Sequence, residues 1–476
     1  MLRRGLIFAA IAAVVIATRL CHAGILWADD NLPLAAAIEV ARGKALFRDV
    51  WFDKPPLVAW ICLAWGARAG VLLRLAGGAY VLAVAAMAWQ FARTAWGERE
   101  GLLAASLSAF FLTFGLPSAV MPLASDMLLV LPHLAAVYFA WRGRAFLSGA
   151  AAGVGLLCSS KAVFVLAACA LWQWRSLPML AAGFATPNAL AMGWMWMNGS
   201  LGEYYRQVWQ WGSIYAAHTF IENPVAEGFK RTADWAGFQA ALVIGAVVAL
   251  KRDRDWRMFS WIALSLAGVV LGLRFFPRYY FLLLPPMTVA AARGWSLLAV
   301  YHFVIDRPQG GRMTRATVTA VFLPALLLIP FLRFAPRYAM LALHRPWADL
   351  AIDSDSRAAA EKLRALAGPG DTLFVWGFRP DIFVYSGLPA GTRFLESQPI
   401  SGVLADRHLF SQTTLAAEFT APNRAEVIAS HPIWIVDGLG PYNPALALDR
   451  QPYLAGWLSR YVPVDRTNFS ILYRLR

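Results

Sequence analysis

Long apolar segments recur along most of this chain and constrain its fold more than any other feature. A membrane-spanning helix needs about 20 mostly apolar residues, because the bilayer core offers no water to backbone polar groups. By this measure we predict about eleven spans. Their approximate ranges are 5–24, 70–92, 101–118, 124–141, 145–158, 162–175, 178–197, 236–250, 257–274, 278–298 and 316–335.

The composition agrees with a polytopic membrane protein and argues against other classes. Of the 476 residues, 59% are hydrophobic and 15% are charged, whereas soluble domains average about 45–50% and about 25%. The net charge of +15 does not indicate nucleic-acid binding, since the basic residues occupy short loops between apolar runs and form no recognised motif. The 4 cysteines lack the paired spacing of a metal centre or a disulfide framework.

The distribution of lysine and arginine predicts the orientation. With the N-terminus in the cytoplasm, every cytoplasmic loop is basic, and an odd number of spans then places the C-terminus outside. The basic residues of these loops are Arg3, Arg4, Arg93, Arg99, Arg142, Arg144, Arg175, Lys251, Arg252, Arg254, Arg257, Arg307, Arg312 and Arg315.

Near residue 335 the composition becomes that of a soluble domain. A polar helix is predicted over Ser354–Ala367, and buried strands are predicted over Thr372–Trp376 and Ile433–Val436. Alternation of strands and helices indicates a small α/β domain. We therefore predict a transmembrane domain over residues 1–335 and an extracytoplasmic α/β domain over residues 336–476.

The first outer loop, residues 25–57, carries an unusual set of charges. Asp29-Asp30 follows the first span directly, a helical stretch covers Leu32–Arg42, and Lys54-Pro55-Pro56 precedes the next apolar segment. Each feature has a structural explanation: aspartate caps helices, lysine reaches toward lipid headgroups, and paired prolines end a helix. Adjacent carboxylates at a membrane border are nevertheless costly, and the ordered set favours a functional role.

This order of motifs resembles the GT-C superfamily of membrane glycosyltransferases, in particular the branch of protein O-mannosyltransferases and lipid A aminoarabinose transferases. The family's acidic pair corresponds to Asp29-Asp30, its Tyr-x-Asp stretch to Phe47-Arg48-Asp49, and its Lys-Pro-Pro-Leu to Lys54-Pro55-Pro56-Leu57. Asp30 replaces a glutamate and Phe47 replaces a tyrosine, so charge and aromaticity are kept.

The resemblance continues through most of the chain. Ser125-Asp126 is similar to the family's second acidic position, and Gly155-Leu156 with Lys161 is similar to its Gly-Leu-x-x-x-x-Lys segment. Arg278-Tyr279-Tyr280 and Leu284-Pro285-Pro286 resemble a later Arg-Tyr-Tyr and Leu-Pro-Pro stretch. Under the orientation predicted above, the charged residues of these motifs all lie at or near the outer face.

The resemblance implies a GT-C-like helical fold and an inverting glycosyltransferase, a hexosyl- or pentosyltransferase, in the bacterial cytoplasmic (inner) membrane. It would move a sugar from a polyprenyl-phosphate donor to an envelope lipid, glycan or protein. In this interpretation Asp29, assisted by Asp30, is the general base. Lys54, Lys161 and Arg278 bind the donor phosphate and stabilise its developing charge.

Other roles stay open at this stage. Asp126 either orients the acceptor or binds a divalent metal ion together with Asp29 or Asp30; no other cofactor is expected. Tyr279 and Tyr280 gate the substrate or form an interfacial aromatic belt, and Lys161 and Arg278 are alternatively headgroup anchors. The aromatic outer segment Gly199–Trp235 has the length of a gating loop.

Two other functions are compatible with the sequence. A transporter or lipid flippase is the main alternative, but we find no internal repeat, and the polar residues cluster at one face rather than at mid-membrane depth. A non-catalytic scaffold that binds through its outer domain is the second alternative. The acidic pair and the intact Lys-Pro-Pro argue against it.

Overall fold

The computed structural model describes residues 2–305, 315–415 and 417–476. It is mostly helical with one small sheet, and it divides into two compact units. The unit that we call the helical unit contains Met1–Ala23, Val71–Ala191 and Ile221–Arg345. The unit that we call the sheet unit contains Gly24–Gly70, Met192–Phe220 and Pro346–Arg476.

Helices form where the sequence has its apolar runs. Within the described part of the chain, the longer helices, of ten or more residues, lie wholly or partly in the helical unit or in the sheet unit. Those that include residues of the helical unit are Leu2–Leu20, Val71–Ala95, Glu98–Phe111, Val130–Trp141, Ala145–Leu156, Ala162–Trp172, Leu177–Met197, Pro224–Phe238, Ala240–Asp253, Trp256–Val270, Leu284–Ile305 and Arg315–Ala342.

Several of these helices are candidate membrane spans. Within the described ranges, Val71–Ala95 and Val321–Ala342 are long and apolar enough to cross a membrane. Two further candidates are bent pairs: Ala162–Trp172 with Trp174–Met197 at 99°, and Pro224–Phe238 with Ala240–Asp253 at 91°. The eleven-span topology and its orientation therefore stay predictions, and Arg307 and Arg312, which support that orientation, lie outside the described residues.

Glycine allows close packing between apolar helices. A Cβ atom at Gly294 would lie 1.8 Å from the carbonyl oxygen of Gly245, where Leu284–Ile305 packs against Ala240–Asp253. A Cβ atom at Gly149 would lie 1.9 Å from the carbonyl oxygen of Leu180. Small residues at such contacts let helix backbones approach, which is how helices associate when apolar surface gives no net driving force.

The sheet has four strands in the order β1-β2-β4-β3. These are β1 (Leu373–Trp376), β2 (Trp434–Asp437), β3 (Tyr461–Arg466) and β4 (Ile471–Leu475). Strands β1 and β2 are parallel, β4 is antiparallel to β2 and β3, and every residue of β1 and β2 is buried. The two predicted strands are confirmed with small shifts in their bounds, and the predicted polar helix is present as Ala351–Leu366.

The segment of residues 25–57 contributes to the hydrophobic core of the sheet unit. Trp51 is fully buried, and its ring centroid lies 5.9 Å from that of Phe394 and 6.3 Å from that of Trp211. The same cluster contains Phe374 of β1 and Ile435 of β2. The core around the sheet is thus built from three separate stretches of chain, and it extends beyond the predicted domain of residues 336–476.

A buried ion pair joins the helix Ala351–Leu366 to the turn after β1. Arg379 donates to Asp355 at 3.1 Å and to the hydroxyl of Ser356 at 2.8 Å, and the side chains of Arg379 and Asp355 are 3% and 4% exposed. Burial alone would raise the pKa of Asp355, but hydrogen bonds from Ser470 and Thr467 and the charge of Arg379 lower it.

We expect Arg379→Met to destabilise the sheet unit, because it leaves the Asp355 carboxylate buried without its cation. The cost of breaking such a pair is about 3–5 kcal/mol, which corresponds to a fall of about 6–20 °C in the thermal midpoint of the detergent-solubilised full-length protein.

The matched control is Lys362→Met, which breaks the Lys362–Asp465 pair, whose side chains are 39% and 33% exposed. This change should cost about 0–1 kcal/mol. Equal shifts for the two variants would contradict a structural role for the buried pair.

Candidate active site

A single carboxylate with two cations lies in the helical unit. Lys161 Nζ donates to Asp126 Oδ1 at 2.9 Å, and Arg278 Nε lies 3.8 Å from Asp126 Oδ2. The side chains of Lys161, Asp126 and Arg278 are 12%, 15% and 33% exposed. Three of the residues selected from the sequence are therefore brought together, and this group carries a net positive charge.

Short, irregular elements hold this group. Asp126 lies on the helix Ser125–Leu128, Lys161 directly precedes the helix Ala162–Trp172, and Arg278 lies on the 3₁₀-helix Pro277–Leu282. Helices interrupted in this way expose polar side chains at their ends, where a continuous span would bury them in lipid.

Two buried arginines bind the connection that precedes Asp126. Arg19 donates to the carbonyl oxygens of Leu112, at 3.1 Å, and Val120, while Arg74 donates to Met121 O at 3.3 Å. Guanidinium groups satisfy several acceptors at once, so this pair holds an irregular connection that contains only the short helix Pro117–Val120.

The two tyrosines have different environments. Lys161 Nζ lies 3.1 Å from the centroid of the Tyr279 ring, a cation–π contact. The Tyr280 ring stacks on Trp235 at 5.3 Å, and its hydroxyl lies 2.9 Å from the Thr232 hydroxyl oxygen. Both tyrosines are buried, and the proposed gating role stays a prediction.

An apolar cavity of about 510 Å³ lies in the helical unit beside Tyr280. Phe111, Leu116, Trp235, Phe281 and Phe334 supply much of its wall, and Arg231, Asp234 and Arg333 supply charged groups. Its size lies within the range of sites for small molecules and cofactors.

In the sheet unit, the acidic pair occupies the first turn of a helix. The helix is Ala28–Ala41 with Trp27 as its N-cap residue, so Asp29 and Asp30 lie inside the helix rather than at the cap position considered for them. Asp29 is half-buried and Asp30 is buried, and Asp30 Oδ2 accepts the backbone N–H of Trp27 at 3.5 Å. The N-terminal turn of a helix stabilises negative charge.

Lys54 is paired with its neighbour in the sheet unit. Lys54 Nζ donates to both oxygens of Asp53, at 2.9 and 2.8 Å, and the two side chains are 38% and 9% exposed. Pro55 and Pro56 follow, and the next helix begins at Leu57.

Two buried carboxyl groups near these motifs were not found from the sequence. Asp381 accepts a 3.5 Å hydrogen bond from Asn31, the residue after the acidic pair. Glu396 accepts the backbone N–H of Gln398 at 2.6 Å; burial and the charge of Asp53 raise its pKa well above the ordinary value, against the opposing charge of Lys54. No local pattern marks either residue, because both lie hundreds of positions from the motif they approach.

Among the described residues, no group of three or more His, Cys, Asp or Glu side chains is arranged to hold a metal ion. The roles proposed for Asp29, Asp30, Lys54, Asp126, Lys161 and Arg278 remain predictions from the sequence.

The fold is similar to those of solved transferases that belong to the GT-C superfamily. It is similar to ArnT, the lipid A aminoarabinose transferase, from Cupriavidus metallidurans bound to undecaprenyl phosphate, with a TM-score of 0.60, 16% identity and coverage of 98% of this chain and 97% of that chain. For ArnT from the same organism in the apo state, the TM-score is 0.58 and the identity is 15%, with coverage of 99% of this chain and 98% of that chain. For the Archaeoglobus fulgidus oligosaccharyltransferase in complex with Zn and sulfate, the TM-score is 0.52 and the identity is 10%, with coverage of 96% of this chain and 71% of that chain.

No protein-family model matches the sequence, and the comparison with curated proteins gives no match either. At identities this low the similarity establishes a shared fold. The predicted resemblance to the GT-C superfamily is confirmed at that level.

The raised pKa of Glu396 makes stability depend on pH. The folded protein retains this proton above the ordinary pKa of 4.5, where the unfolded chain has released it, so stability falls as the pH rises from that value toward the raised pKa. Glu396→Gln removes this titration. Its thermal midpoint relative to the wild type should therefore increase between about pH 4 and about pH 8.

Glu361→Gln, which removes an exposed carboxylate from the helix Ala351–Leu366, serves as the control and should follow the wild-type profile. A constant difference between wild type and Glu396→Gln across this range would contradict the prediction.

Proposed function

We propose that this protein is an inverting glycosyltransferase of the bacterial cytoplasmic membrane. It takes a sugar from a polyprenyl-phosphate donor and transfers it to an envelope lipid, glycan or protein on the outer face. The observation that carries this proposal is the pairing of Asp126 with Lys161 and Arg278 close to an apolar cavity. The fold shared with an ArnT that binds undecaprenyl phosphate supports it.

The donor requires cations for its phosphate and apolar walls for its isoprenoid chain. In this proposal Lys54, Lys161 and Arg278 bind the phosphate. The cavity beside Tyr280 is wide and aromatic enough to hold isoprene units, and Arg278 and Tyr280 belong to the same 3₁₀-helix. In this proposal the isoprenoid chain lies beside the 3₁₀-helix that carries Arg278.

Transfer then follows from the chemistry of the groups. Asp29 accepts the proton of the acceptor hydroxyl while the oxygen of that hydroxyl attacks the anomeric carbon from the face opposite the phosphate. The bond between that carbon and the phosphate oxygen breaks, and polyprenyl phosphate leaves with the electron pair, which inverts the anomeric centre. Lys54, Lys161 and Arg278 stabilise the charge that develops on the leaving phosphate.

Asp30 and Asp126 have supporting roles in this proposal. Asp30, in the same first helical turn as Asp29, acts as the second acidic group. Asp126 orients the acceptor or binds a divalent metal ion with Asp29 or Asp30; its ion pairs with Lys161 and Arg278 favour a role in which it also orients these two cations. Tyr279 and Tyr280 gate entry of the substrate.

Asp29→Asn should abolish transfer, because an amide does not accept the proton. The expected loss is about 10²–10⁴-fold. A deletion strain is complemented with each variant, and envelope lipids and sugars are compared by mass spectrometry; the wild type restores the missing glycan and Asp29→Asn does not, at equal protein level.

Asp449→Asn, an exposed aspartate in the sheet unit, should restore the glycan fully. Restoration by Asp29→Asn would remove this residue from the mechanism. An unchanged set of glycans in the deletion strain would contradict the transferase assignment.

Lys161→Met should weaken binding of undecaprenyl phosphate to the purified full-length protein by about 10- to 100-fold, because a charge-assisted hydrogen bond to phosphate is lost. Radiolabelled undecaprenyl phosphate in detergent micelles provides the measurement. Lys230→Met, which removes an exposed cation from the helix Pro224–Phe238, is the control and should bind like the wild type. Equal affinities for the two variants would exclude Lys161 as a phosphate ligand.

A further inference from the structure

A buried glutamine joins the two ends of a short segment in the first outer loop. Gln207 Oε1 accepts the backbone N–H of Phe52 at 2.9 Å, and Gln207 Nε2 donates to the carbonyl oxygen of Phe47 at 2.8 Å. Gln207 is fully buried. One carboxamide therefore satisfies a backbone donor and a backbone acceptor that no regular secondary structure pairs.

The orientation of this carboxamide is determined by its surroundings. Its Nε2 also donates to Glu203 Oε2 at 2.8 Å, and Arg393 donates to the same oxygen at 2.9 Å. Burial alone would raise the pKa of Glu203, but its bonds with Gln207 and Arg393 lower it, so the carboxylate stays an acceptor. The Nε2 side of the carboxamide faces two acceptors, Phe47 O and Glu203 Oε2, and the Oε1 side faces the Phe52 N–H donor. If the amide were rotated by 180°, oxygen would face the acceptors and the NH₂ group would face the donor.

The segment that Gln207 holds has an unusual backbone. Phe47 has a φ of 70°, in the left-handed region that bulky side chains rarely adopt. Its ring packs against Tyr204 at 5.1 Å, and Gln207 itself lies in the π-helix Tyr205–Gln210. Strained backbone and π-helical turns both concentrate at functional sites, where the surrounding contacts maintain them.

The position of Phe52 determines where the next residues begin. Asp53 and Lys54 directly follow Phe52 in the sequence. The residue before Phe52 is held as well, because the Trp51 N–H donates to Arg393 O at 2.8 Å. We propose that Gln207 is a positioning residue that holds the Phe47–Phe52 segment and thereby places Lys54 for the donor phosphate. This inference rests on the proposed function, since it acts through the phosphate-binding role of Lys54.

A double-mutant cycle tests the proposal on the full-length protein with undecaprenyl phosphate as the probe. Gln207→Met keeps the length of the side chain and removes both backbone hydrogen bonds, so the dissociation constant should rise about tenfold. In a Lys54→Met background the same change should alter it less than about twofold, because the group being placed is absent. Equal losses in the two backgrounds, or no loss from Gln207→Met, would overturn the proposal.

A second measurement needs no lipid. An amine-reactive reagent labels Lys54 at a rate that reflects its pairing with Asp53, and mass spectrometry of the digested chain reads that rate. Gln207→Met should increase it severalfold, whereas Gln210→Met, an exposed glutamine in the same π-helix, should not.

The two measurements distinguish the proposals. Faster labelling with no binding of undecaprenyl phosphate by the wild type would contradict the donor assignment while supporting the positioning role. Unchanged labelling of Lys54 in Gln207→Met would overturn the positioning role whatever the lipid result.

Discussion

The burial of Trp51 in the core of the sheet unit is the contact on which the geometry of residues 25–57 depends. The indole lies between Trp211 and Phe394, and on either side of it the loop is held by polar groups of the same unit. Asn31 is bonded to Asp381, and the Phe47–Phe52 segment is bonded to Gln207. The loop that carries the acidic pair and the lysine is thus an integral layer of the sheet unit.

Each proposed phosphate-binding cation already has a carboxylate partner. Asp53 binds Lys54, and Asp126 binds Lys161 and lies near Arg278. Such pairing keeps long side chains ordered and partly desolvated before any ligand arrives, which is the preorganisation that electrostatic stabilisation of a leaving group requires. Under the proposed function, an incoming phosphate therefore meets cations that are already partly desolvated.

The apolar runs predicted the helical fold and the first two strands, because these depend on local composition. The order of motifs selected Asp126, Lys161 and Arg278, which the structure brings together. Strands β3 and β4 escaped prediction: the exposed and half-buried positions of Tyr461–Arg466 give no clear apolar pattern. The role of Gln207 was not predicted either, since its hydrogen-bond partner Phe47 lies 160 residues away in the sequence. The count of eleven spans stays a prediction: within the described ranges, two helices are long and apolar enough to cross a membrane, and two pairs bent by 99° and 91° are further candidates.

The three-segment core of the sheet unit has a consequence for synthesis and for engineering. Residues 24–70 leave the ribosome long before Phe394, Phe374 and Ile435, so Trp51 remains without its core until nearly the entire chain has been made. During this interval residues 24–70 cannot reach their final packing, because the core that contains Trp51 is complete only when the last strand has been made. For the same reason the C-terminal segment is not an exchangeable module, and a chimera with a relative must transfer all three stretches together.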